Sequence, residues 1–294
     1  MMSIMPPVPS DEEEKYVISY TKGFDFDNTN AGVLDLSQLP LEIDVAEIDQ
    51  YPNETYALMR KNGLGTSDSS ALLNVNPYTT RSELIAEKCR NYLTQEELEV
   101  GDKAAVRKGR DLEPLIISKS EQMFDKRVIK PVDMYRHKEY PWIKFNFDGV
   151  MDKTYYENDK YQYIPNEIKV VTLYGQKHYN FKKAWMQEGI GWTPLPDDHS
   201  KANNSIETKA AQYGIPGYYY TQLQQQIMGL NAPFGYLTIM LDSSWQINTF
   251  FIWRDNAVIN ALVTEGYKVW TEITNRRGPN WSIPVLTEQT STST

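Results

Sequence analysis

The sequence predicts a mixed α/β (α+β) domain, a central mixed β-sheet flanked by helices, and three observations carry that expectation. Apolar residues recur at helical spacing up to Phe124, alternate with polar ones over 142–148, and give way to a run rich in β-branched and aromatic residues over 161–172. Helical spacing returns after Tyr218, two β-rich runs follow at 234–241 and 247–253, and an amphipathic run closes the order. No long Gly/Ser- or Pro-rich linker divides the chain. Its 294 residues at 40% hydrophobic content can bury one large core.

In chain order, residues 1–50 mix acidic and scattered apolar residues and read as a partly ordered arm before a main domain over 51–286. A short helix is expected at 55–61, halted by Asn62-Gly63, and a second over 69–73, with Gly65-Thr66-Ser67-Asp68 at its mouth. Asn76-Pro77-Tyr78 ends it. Further helices are expected at 82–91 and 107–124, the latter with Leu112, Leu115, Ile116 and Met123 on one face. A strand over 142–148 continues through Gly149 to Met151, turns in the polar stretch 152–160 and returns as a second strand over 161–172. Residues 193–210 are polar and read as a loop. A helix over 218–230, a hairpin across Asp242-Ser243-Ser244 and a closing helix over 255–275 complete the domain, and the tail 287–294 is expected to be disordered.

Composition excludes several function classes. No run of eighteen apolar residues exists, so no membrane span is expected. Residues 1–10 lack a basic stretch followed by an apolar one, so a cytoplasmic rather than secreted protein is expected. One cysteine, Cys89, rules out an internal disulfide framework or a four-thiolate site. His137, His178 and His199 stand far apart, so any metal must be held by oxygen, which points to magnesium, with manganese as a possible substitute. The net charge of -9 resides in the arm, where eleven acidic residues face only Lys15 and Lys22; the remaining 244 residues carry 28 of each sign. A neutral body with short basic stretches, such as Lys103 to Arg110 and Lys126 to Lys130, does not exclude a local nucleic-acid track.

The chemistry gathers mid-chain. On a strand, Glu167 and Lys169 share a face while Ile168 enters the core, and a hairpin partner carrying Asp148 brings a second carboxylate beside Glu167. Two such oxygens and a backbone carbonyl make a hard-cation site. The alternative is a cross-strand ion pair on a solvent-facing surface. Glu113 lies in a helix among core-forming neighbours, and either joins this set or points to solvent. Gln222 and Gln226 stand four apart on one helix face, beside the apolar line, where a solvated role is the ordinary one.

In order, Gly-x-Gly-x-Ser-Asp, Asn-Pro-Tyr, Gly-Arg-x-Leu-Glu-Pro, a strand ending Asp-Gly, Glu-Ile-Lys and Tyr-Tyr-x-Gln resemble the YqaJ-type viral recombinases, the group of the lambda-type exonucleases. The resemblance covers about residues 56–230. It implies a restriction-endonuclease-like PD-(D/E)XK nuclease core acting on double-stranded DNA ends from the 5′ side. It also implies metal held by Asp148, Glu167 and the Ile168 carbonyl, with Glu113 completing the acidic set. Lys169 is then the catalytic lysine and Gln222 a positioning group. Ser67 and Arg60 correspond to the residues that hold a 5′-phosphate, and Arg60 remains readable as an ordinary surface arginine. A trimeric ring and a single-strand annealing protein as partner follow from the same resemblance, as does host-cell cytoplasm for a phage-encoded chain. The superfamily's proline is absent, since Phe147 precedes Asp148. A structure-specific or restriction-type endonuclease, or a DNA-end-binding module on the same core, stays open as an alternative.

Overall fold

A computed structural model of the chain describes residues 60–94, 97, 103–131, 134–137, 140–151, 163–278 and 281. The acidic arm, residues 55–59 of the first expected helix, the polar stretch 152–160 and the tail 287–294 lie outside the described residues. Arg60 and Lys61 are helical, and a 3-10 turn, Thr66–Asp68, leads into α1 (Ser69–Leu72). Then come α2 (Arg81–Cys89), α3 (Ala104–Phe124), β1 (Val128–Ile129), β2 (Tyr135–Arg136), β3 (Lys144–Phe145) and β4 (Gly149–Met151). β5 (Ile164–Val171), β6 (Met186–Gln187), β7 (Gly191–Trp192), α4 (Ile206–Tyr213) and α5 (Gly217–Gly229) follow. β8 (Phe234–Leu241), β9 (Ile247–Trp253) and α6 (Asn256–Arg277) close the chain.

Among the described residues the main sheet has seven strands in the order β1-β4-β5-β8-β9-β6-β7, and β2 and β3 pair separately. Its centre is the parallel pair β5 and β8, while the other pairings are antiparallel. Parallel neighbours need a crossover connection, and the segment carrying α4 and α5 supplies it. β8 is buried from Phe234 through Met240 and β9 throughout, so neither reads as an alternating strand. The mixed sheet flanked by helices is the architecture the periodicities predict.

Two differences from the sequence reading have physical causes. The strand expected over 142–151 is two short strands, because the chain leaves the ladder at Asn146–Asp148. It leaves the β2–β3 pair there and enters the seven-stranded sheet at Gly149, where a Cβ would stand 2.9 Å from Val128 Cγ1 and glycine lets β1 approach closely. The loop expected over 193–210 ends early, since Ser205 accepts a hydrogen bond from Thr208 N and starts α4, whose buried side is only Lys209, Ala210 and Tyr213. That stripe is too short to raise a periodic signal.

One buried ion pair fixes the front of the molecule. Lys88 of α2 is fully buried, and its Nζ lies 2.9 Å from Asp68 Oδ2 and donates to the Arg60 carbonyl at 2.9 Å. Burial would raise the Asp68 carboxyl, but Lys88 and then Arg60 outweigh it and hold its pKa below the ordinary value. Removing one partner of a buried pair leaves an uncompensated charge. Lys88→Met should therefore lose about 3 kcal/mol in denaturant unfolding, the low end of the usual range because Arg60 still faces Asp68. A variant as stable as the parent would show that the pair does not hold this segment.

Candidate active site

The site forms where β4 stops following β5. The two strands are antiparallel with Gly149 opposite Asn166. One residue earlier, Asp148 has left the ladder, and its Oδ2 accepts a hydrogen bond from Ile168 N at 3.1 Å. A side chain thus takes the position of a main-chain acceptor. In an extended strand the N–H and C=O of one residue point the same way, so the Ile168 carbonyl also faces the Asp148 side. Its side chain goes to the opposite face and packs with Ile116, Met240 and Ile247.

Glu167 and Lys169 project together, as strand geometry requires. Lys169 Nζ stands 2.9 Å from Asp148 Oδ2 and is ion-paired with Glu167 Oε1, so two carboxylates converge on one cationic centre. Glu167 is 0% exposed, while the Lys169 and Asp148 side chains are 26% and 33% exposed. A solvent-facing ion pair is therefore not what these residues form. The acid is closed in, and the lysine and aspartate form its mouth.

Helix α5 supplies the donors that make this burial tolerable. Gln222 Nε2 donates to Glu167 Oε1, and Gln226 Nε2 donates to Oε2 at 2.6 Å and to the Asn146 carbonyl at 3.0 Å. Spacing of four residues on a helix puts both amides on the same carboxylate. Gln225 Nε2 donates to the Lys144 carbonyl at 3.0 Å. The glutamine run therefore brackets the stretch between β3 and β4 that ends in Asp148, and Gln224, Gln225 and Gln226 are buried rather than solvated. Gln226 is the contact the sequence reading left out. Its helical spacing from Gln222 was visible, but only burial reveals its role.

Burial pushes the Glu167 carboxyl up to about 7, and the Asp148 charge adds to the rise. Burial pulls Lys169 down, yet Asp148 and Glu167 outweigh it and hold the ammonium well above the ordinary lysine value. Glu113 reaches the neighbourhood from α3. Burial raises its pKa and Asp148 adds to the rise, against the opposing effect of Lys130, whose Nζ lies 2.8 Å from Glu113 Oε1. Glu113 therefore does not point freely to solvent. Among the described residues, however, no three acidic, histidine or cysteine side chains are gathered closely enough to hold one ion. The donor set still fits a hard cation: two carboxylates share one cationic centre, and a backbone carbonyl is turned to the same side. Such a cation would compete with the Lys169 ammonium for that place.

Arg60 and Ser67 are also brought together. Arg60 Nη2 donates to Ser67 Oγ at 2.9 Å and reaches Asp68 Oδ1 at 3.4 Å. Ser67 is exposed inside the 3-10 turn. The following helix has only four residues, so its dipole adds little, and the arginine charge is the stronger attraction for an anion.

A model of the YqaJ-like viral recombinase domain matches residues 55–229. No curated protein matches the chain. Among solved structures, LHK-Exo in complex with dAMP is similar with a TM-score of 0.48 at 17% identity, over 75% of this chain and 92% of that one. The alkaline exonuclease LHK-Exo from Laribacter hongkongensis gives 0.47 at 16% identity over the same shares.

The buried acid gives a pH dependence with a definite sign. In the metal-free protein Glu167 titrates at about 7, against an ordinary value of 4.5. The native state binds more protons across that window, so the stability this group contributes is full below the unfolded value and lost as pH rises through the folded one. Denaturant unfolding should show stability falling between about pH 5 and about pH 8, and Glu167→Gln should flatten that fall. An unchanged slope in the variant would assign the titration to another group.

Proposed function

The chain belongs to the YqaJ-like viral recombinase domain family, and on that premise we propose that it is a deoxyribonuclease, a metal-dependent exonuclease of phage-type recombination that degrades one strand of linear double-stranded DNA from its 5′ end. The observation that carries the reading is the convergence of Asp148 and Glu167 on one cationic centre, inside the matched residues. Fold stability alone gives no reason to bury Glu167 beside another carboxylate; a site for phosphodiester hydrolysis does.

Asp148, Glu167 and the Ile168 carbonyl would hold a magnesium ion, with manganese as a substitute and Glu113 completing the acidic set. When bound, the ion polarises the scissile phosphate and lowers the pKa of its water. Gln222 and Gln226 hold the Glu167 carboxylate in one orientation. Lys169, partly exposed and firmly protonated, orients the attacking water or stabilises the charge building on phosphorus. Arg60 and Ser67 hold the 5′-phosphate, and Arg60 contributes more because its hydrogen bond is charge-assisted. Copies assembled in a ring, a trimer by analogy with the family, would repeat one modest basic patch around the duplex. A single-strand annealing protein is the partner that would take up the surviving strand. Among the described residues no helix is long and apolar enough to cross a membrane.

The test digests linear duplex bearing 5′-phosphate or 5′-hydroxyl ends, alongside covalently closed circles, with and without magnesium. Linear DNA should be degraded only with the metal, circles should survive, and Asp148→Asn should be inactive while folded. Lys169→Ala should lower the rate about 10²–10³-fold with DNA binding retained, the usual effect of losing one charge-stabilising donor. Arg60→Ala should narrow the preference for phosphorylated ends. Cutting of closed circles would favour an endonuclease, and activity in Asp148→Asn would overturn the site.

A further inference from the structure

Tyr78 is 77% exposed, yet it is not loosely held. Asn76 Oδ1 accepts from Tyr78 N at 2.8 Å and from Thr79 N at 3.0 Å, and Asn76 Nδ2 donates to Ser70 Oγ at 2.8 Å. Pro77 fixes the backbone before it, and Thr80 begins α2 immediately after with a capping box to Glu83. The turn thus holds a large aromatic ring out in water, anchored to α1 one turn beyond Ser67.

Behind it the rings form a line. Tyr78 and Tyr218 meet edge to face with centroids 6.1 Å apart, Tyr218 and Tyr219 are 4.5 Å apart, and Lys169 Nζ lies 5.9 Å from the Tyr219 centroid. Tyr179 stacks on Tyr219 at 6.3 Å, and Phe181 on Tyr179 at 5.6 Å. Aromatic surface therefore runs from the exposed turn to the catalytic ammonium, along α5, the helix that carries Gln222 and Gln226.

We propose that Tyr78, backed by Tyr218 and Tyr219, is a stacking platform for an unpaired base of the DNA strand entering the site. The inference rests on the nuclease reading above. The argument is one of access and compensation. Glu167 is fully buried between sheet and helix, so a phosphodiester can reach its neighbourhood only if its strand leaves the partner strand. Each base so freed loses its stacking neighbours. Aromatic rings replace them whatever the sequence, because every base presents a π-face. A platform continuous with Lys169 is placed where the first separated bases must pass, and its tyrosines carry no charge to repel the phosphates.

Affinity is measured without metal, so nothing is cut, for a duplex with a short unpaired 5′ overhang and for the same duplex with abasic nucleotides in the overhang. Wild type should prefer the base-bearing overhang by at least about fivefold, the low end for stacking on an aromatic side chain. Tyr78→Ala should lose that preference, and Tyr78→Phe, which keeps the ring, should retain it. Equal weakening of both DNAs by Tyr78→Ala, or the same loss with Tyr78→Phe, would overturn the platform. Cleavage assayed in parallel separates the two readings. An active enzyme without base preference removes the platform alone. A base preference that depends on Tyr78, in a protein that cuts no DNA, removes the nuclease and leaves the platform standing.

Discussion

The fully buried carboxylate of Glu167 is the constraint on which the rest of the structure depends. A carboxylate taken from water costs far more than one hydrogen bond returns, and it persists in the interior only when paired and bonded. Here each oxygen receives a glutamine amide, and the Lys169 ammonium adds the opposite charge. Those partners come from two directions, the next-but-one residue of the same strand and a helix more than fifty residues later. The acid can therefore be accommodated only once β5, β8 and α5 are assembled together. The parallel pairing of β5 and β8, and the crossover that delivers α5, bring those partners to it.

Helix α5 shows how one sequence feature serves both packing and chemistry. Leu223 and Ile227 are fully buried, while four glutamines, Gln222 and Gln224 to Gln226, interleave with them. Gln222 and Gln226 go to the acid, and Gln225 and Gln226 to the carbonyls of Lys144 and Asn146. Gln224 donates to the Trp253 carbonyl at 2.8 Å and accepts from Asp255 N at 2.8 Å. These amides satisfy main-chain groups left over where strands end or break, which buried backbone demands. The gap between β3 and β4 is thus a supported feature, and it turns Asp148 out of the ladder and towards Lys169.

Much of this was legible in the sequence, and for identifiable reasons. The β-branched and aromatic run around Glu167 marks a strand, and the two-residue period puts Glu167 and Lys169 on one face whatever the rest of the fold does. Ordered motifs from Gly63 to Gln222 carried the family. What was hidden depends on partners distant in the chain. A run of glutamines reads as solvated until the strands that cover it are known. Lys88 shares a helical face with Leu84 and Ile85, but its role shows only when Asp68 and the Arg60 carbonyl appear beside it. The departure at Asn146–Asp148 has no local signal other than Gly149. Glu113 was singled out as part of the acidic set, and the structure holds it against Lys130 instead of in direct contact with the other two acids.

The central claim is that Asp148 and Glu167 form one divalent-cation site whose place the Lys169 ammonium holds meanwhile. The most direct measurement is a crystal structure grown or soaked with a divalent ion and located by its electron density. The account predicts one ion within about 2.0–2.6 Å of an oxygen from each carboxylate, depending on the metal used, with Lys169 Nζ withdrawn from its bridge between them. An ion bound away from Glu167, or a Lys169 ammonium still bridging both acids with the metal present, would contradict it.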